Sequence, residues 1–71
     1  MTNPEREELL QFLKDLCEEC PDLRFGQLIA NLAVVARGAE SSAVWDMEDD
    51  ELLAAARSQL EVFRLRHAQV A

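Results

Sequence analysis

Apolar residues recur at three- and four-residue spacing in three stretches of this chain, and two helix breakers, Pro21 and Gly38, divide those stretches from one another. That spacing matches the turn of an α-helix, and no segment alternates with the period of two that a half-buried strand requires. The expected fold is therefore all-α, a small three-helix bundle with helices over about residues 4–20, 22–37 and 47–67. At 71 residues the chain is expected to be a single helical domain, residues 1–71. One core of this size yields roughly 3–5 kcal/mol, which small proteins often supplement by disulfides, metals or self-association.

In the first stretch, Thr2 or Asn3 is placed to cap, Pro4 suits the first turn, and Glu5, Glu7 and Glu8 sit at the positive end of the helix dipole. Leu9, Phe12, Leu13, Leu16 and Cys20 form its apolar stripe, widened by Leu10 and Cys17. In the second, Asp22 is placed to cap and Gly38 to end the helix. Phe25, Leu28, Ile29, Leu32 and Ala36 share one face at about 100° per residue. Gly26, Ala30, Ala33 and Val34 lie largely opposite, flanked by Arg24, Gln27 and Asn31. Residues 38–45 read as a loop ending in an apolar anchor, Trp45. The third helix buries Leu52, Leu53, Ala56, Leu60 and Phe63, with Asp46 or Asp49 as its cap. Acids crowd its start, and Arg57, Arg64, Arg66 and His67 come later, matching the dipole at both ends.

Fourteen acidic residues against seven basic ones leave no Lys/Arg cluster to neutralise phosphates, so neither direct nucleic-acid binding nor an anionic membrane is expected. Residues 1–20 carry acids where a signal peptide needs an apolar run, and the uncharged run Phe25 to Ala36 is too short to span a bilayer. A cytoplasmic location is the expectation.

Cys17-Glu18-Glu19-Cys20 has C-x-x-C spacing, but it falls at a helix C-terminus beside two glutamates, where both dipole and charge disfavour a thiolate. A structural zinc site needs four ligands, and His67 is the one further soft donor. Reduced structural cysteines are expected, with no metal and no cofactor. The acidic block Asp46 to Glu51 lacks the glycine and distal glutamate of an EF-hand loop and reads as a helix start. Ser41 and Ser42 have no evident base, and no nucleophile–base pair or glycine-rich phosphate loop is legible, so no enzyme activity is expected.

Arg24 carries more information. A cation in the first turn of a helix opposes the local dipole and calls for a compensating partner. One reading is a structural ion pair from Arg24 to Asp46, Asp49 or Asp50; the other is that Arg24, Gln27 and Asn31 contact another chain. Trp45 likewise has two readings, a plug for the open end of the core or a binding hot spot.

The run Pro21-Asp22-Leu23-Arg24-Phe25-Gly26-Gln27-Leu28-Ile29 with Asn31, followed by Val44-Trp45-Asp46 and Asp49-Asp50-Glu51-Leu52-Leu53, resembles a family of short bacterial and phage-borne proteins of unknown function. They are typified by a P-D-x-R-x-G-Q-L-x-x-N core and a later aromatic–acidic–Leu segment. The resemblance covers about residues 9–60 and implies no activity, substrate or cofactor. It implies that the two segments belong to one unit, in keeping with an Arg24–acid contact. The C-x-x-C pair and the basic last turn lie outside the pattern.

The expected function is a non-enzymatic helical protein–protein interaction module that self-associates or docks on a protein partner. Its predicted surface is Arg24, Gly26, Gln27, Ala30, Asn31 and Val34, with Trp45 as a further contact. Small residues admit a close partner helix, and polar ones set its register. The alternative is an acidic inhibitor, of immunity- or antitoxin-like character, or a nucleic-acid mimic that binds a basic partner through Asp46 to Glu51 and Glu61.

Overall fold

Local sequence signals start and stop the helices. In the computed structural model, which describes residues 3–40 and 42–70 with side chains up to Arg66, helix α1 spans Pro4–Glu19, α2 Phe25–Arg37, α3 Ala43–Asp46 and α4 Asp49–Val70. Asn3 caps α1, its side-chain oxygen accepting from the Glu5 N–H at 3.0 Å. The fold is all-helical, and no strand occurs among the described residues. The described residues form four helices rather than three: the expected loop over residues 38–45 contains most of the one-turn helix α3.

The three long helices meet on a cluster of Leu9, Leu13, Leu16, Leu28, Leu32, Leu53, Ala55, Ala56 and Leu60. Each supplies one fully buried leucine: Leu16, Leu32 and Leu60. Burying such a side chain contributes about 1.5–3 kcal/mol. No buried polar or charged residue interrupts the cluster among the described residues. Three residues assigned to the apolar stripes are exposed instead, Leu10, Cys17 and Phe25. Leu10 is 60% exposed, because it sits some 100° around α1 from Leu9 and off the seam. Phe25 is 56% exposed, since as the first residue of α2 it overhangs the end of the core.

Ion pairs fix how the helices run. Arg6 joins Asp49 at 2.8 Å, Glu8 joins Arg57 at 2.6 Å, and Arg64 lies 3.8 Å from Asp15 and 3.9 Å from Glu19. The start of α1 thus meets the start of α4 and the ends match too, so the two helices are parallel. Glu8 and Asp15 are seven residues apart, as are Arg57 and Arg64. A seven-residue step is two helical turns, so the same pairing repeats along the seam, as charges flanking a coiled-coil core do. The Arg57 guanidinium also lies 5.6 Å above the Phe12 ring. At the other seam, Arg37 forks onto Glu51 with bonds of 2.8 and 2.7 Å, tying the end of α2 to the start of α4. Helix α2 therefore runs antiparallel to both.

Candidate interaction surface

The entry to α2 differs from the expected one, and the difference changes what Arg24 does. The chain leaves α1 through a turn closed by the Leu23 N–H donating to the Cys20 carbonyl at 3.1 Å. Asp22 is held in that turn, too early to cap. Arg24 takes the cap position with extended backbone, and its N–H donates to Gln27 Oε1 at 2.9 Å. Gln27 is thereby partly explained as a capping residue, although its amide nitrogen keeps two donors free of any described partner.

The expected ion pair from Arg24 to Asp46, Asp49 or Asp50 is not formed. Asp49 is taken by Arg6, and no ion pair joins Arg24 to any of the three acids among the described residues. The physical reason is direction. Helix α2 runs antiparallel to α4, so its last residue, Arg37, and not its first, reaches the acidic start of α4. The tie to the second segment is made by Arg37, which lies beyond the first segment on the same helix, through Glu51.

Beyond the cap, Leu28, Leu32 and Ala33 are buried, while Gly26, Gln27, Ala30, Asn31 and Val34 are exposed. Ala33, expected on the open side, is 3% exposed. It is buried where the sequence offered no partner: α3 packs on α2, and Ala43 of α3 is buried as well. The outward strip is thus Gly26, Ala30 and Val34, with Arg24, Gln27 and Asn31 beside it. A β-carbon built on Gly26 would meet nothing within 4 Å, so this part of the strip is open. Asn31 also edges a furrow of about 400 Å³ shared with Cys20, Asp22, Leu23 and Phe63.

Trp45 does not plug the core. It is 91% exposed, and the residue of α3 that turns inward is Ala43, at 2%. In a helix, residues two apart point about 200° from each other, so seating Ala43 carries Trp45 outward. Val44 beside it is 55% exposed. The two C-x-x-C thiols differ: Cys17 is exposed and Cys20 half-buried, and both are free. Burial, then the charge of Glu19 and then Cys17, push the Cys20 thiol above its ordinary value. Among the described residues no group of three or more Cys, His, Asp or Glu is placed to hold a metal. Ser41 and the side chain of His67 lie outside the described residues.

Sequence reasoning missed a furrow of about 460 Å³ along the α1–α4 seam, lined by Phe12, Arg57, Leu60, Glu61, Arg64 and Leu65. The matched seven-residue spacings of Glu8/Asp15 and Arg57/Arg64 were the signal that could have located that seam. No helix among the described residues is long and apolar enough to cross a membrane. Comparison with family models, with curated proteins and with solved structures gives no match, so the surface is read from its own chemistry.

Proposed function

We propose that this chain is a non-enzymatic, cytoplasmic interaction module, a bundle of three long helices and one short one that offers the outward face of α2 to a helix of a partner protein or of a second copy. One observation carries the reading. Helix α2 is a run of apolar residues with a single charge, Arg37, at its end, yet it buries only Leu28, Leu32 and Ala33 and leaves Phe25, Val34 and Val35 open. Its outward strip pairs small residues, which admit a close partner, with the exposed Arg24, whose guanidinium makes no ion pair among the described residues, and the exposed Asn31, and these would set register. The resemblance of residues 21–31 to short bacterial and phage-borne proteins is in keeping with a small module, and the same segment holds most of the strip.

Sedimentation at micromolar concentration, together with quantitative capture from the native cell, tests this with Ala30→Glu as the matched control. Ala30 is exposed, so the variant keeps its helicity, and dimer or captured partner should fall at least about tenfold. A monomer at every concentration whose captured proteins are identical for wild type and Ala30→Glu refutes the α2 surface.

A further inference from the structure

A second surface carries a more specific reading, one that rests on the chain being an interaction module but not on the α2 strip. We propose that the tip formed by α3 and the turn into α4 docks a basic amphipathic segment of a partner protein, with Val44 and Trp45 as apolar anchors and Glu40, Asp46, Glu48 and Asp50 as counter-charges. Trp45 and Val44 are held outward by the seating of Ala43, and a tryptophan carries the largest apolar area a single side chain offers an interface.

The charge around them decides the occupant. Between Arg37 and Arg57 the chain has no Lys, Arg or His and six carboxylates. Two are matched within the fold, Asp49 by Arg6 and Glu51 by Arg37. The other four make no ion pair among the described residues. Arg37 lies close enough to feel the charges of Glu40 and Asp46, but both arms of its fork are on Glu51. Asp50 accepts the Glu51 N–H at 3.0 Å, and no cation among the described residues pairs with it. Glu5, Glu7, Glu18, Asp22 and Glu61 also make no ion pair among the described residues, but the four at the tip differ in flanking the exposed Val44 and Trp45 in a stretch that holds no cation.

A second copy docked tip to tip would oppose four carboxylates with four more. Nucleic acid and anionic bilayers are repelled for the same reason. A cation-bearing segment with aliphatic residues meets both halves of the surface: its Lys or Arg groups face the carboxylates and the Trp45 ring, and its apolar side packs on Trp45 and Val44.

Trp45 is the one tryptophan and the chain has no tyrosine, so emission excited at the red edge reports this side chain alone. The probe is a synthetic amphipathic peptide of Lys, Arg and Leu, fluorescein-labelled for anisotropy, with a Glu-for-Lys/Arg peptide as counterpart. The basic peptide should shift Trp45 emission to the blue, saturably, with an affinity that falls steeply with salt. Trp45→Ala, and separately the set E40Q/D46N/E48Q/D50N, should each weaken it at least about tenfold. The set E18Q/E19Q/D22N/E61Q makes the same change in net charge toward the other end of α1 and α4 and should cost under about threefold. Helicity by circular dichroism confirms that the variants fold, and Trp45→Phe should retain intermediate binding. Absence of a blue shift, equal losses in the two charge sets, or equal binding of the acidic peptide overturns the proposal. Ala30→Glu should leave peptide binding intact. If it abolishes that binding, the tip is refuted in favour of the α2 strip; if it loses no captured partner while the peptide still binds at the tip, the α2 strip fails and the tip stands.

Discussion

The two glycines of this chain should respond oppositely to the same substitution. A β-carbon at Gly26 or at Gly38 would meet nothing within 4 Å, so side-chain clash predicts no difference between them. The backbone does. Gly26 is the second residue of α2 with an ordinary negative φ, and there Gly→Ala restricts the unfolded chain at no cost to the folded one, stabilising by about 0.4–1 kcal/mol. Gly38 has φ 80° and ψ −172°, a region essentially reserved for glycine, and it ends α2 by donating its N–H to the Val34 carbonyl at 2.7 Å. Alanine there costs about 1–3 kcal/mol. For a domain of this size, about 1 kcal/mol moves Tm by roughly 4–8 °C. Gly26→Ala should therefore raise Tm by about 2–8 °C and Gly38→Ala lower it by about 4–24 °C. Urea denaturation provides the free energies, and an unchanged m-value confirms that the denatured state is the same for each variant. Shifts of the same sign in both variants would refute the reasoning, because that would mean steric surroundings and not dihedral angles govern the two sites. The first substitution also probes the α2 strip: if a partner helix approaches closely there, Gly26→Ala gains stability while losing partner.

Two further outcomes are expected. The Glu51 carboxylate is held below the ordinary range first by its hydrogen bonds from Arg37, then by the Glu48 N–H, so its contribution is complete above the unfolded value of about 4.3 and is lost as pH falls through the lower folded one. Stability measured by urea titration should decline across that acid window, and Glu51→Gln should make the decline shallower; an identical slope in the variant would remove Glu51 from the account. Cys17 should alkylate with iodoacetamide faster than Cys20, by about threefold or more, since Cys20 is half-buried with its thiol pushed up by burial and Glu19. Mass-spectrometric site mapping that finds the reverse order would contradict the described end of α1.

The sequence determined on its own those features that depend on neighbours along the chain. The helical period placed Leu9, Leu13, Leu16, Leu28, Leu32, Leu53, Ala56 and Leu60 in the core, and the Asn3 cap and Gly38 stop were legible as local chemistry. The cap of α2 was local too, but Gln27 reaching back to Arg24 was a stronger signal than the carboxylate of Asp22. Tertiary structure decided everything that depends on relative direction. Only the antiparallel placement of α2 gives the acidic start of α4 to Arg37 and leaves Arg24 open. Only the docking of α3 on α2 buries Ala33 and Ala43 and, through the 100° helical step, turns Trp45 to solvent. Periodicity fixes which face of a helix is apolar, whereas which neighbour covers that face, and which end of it meets which charge, is set by how the helices pack together.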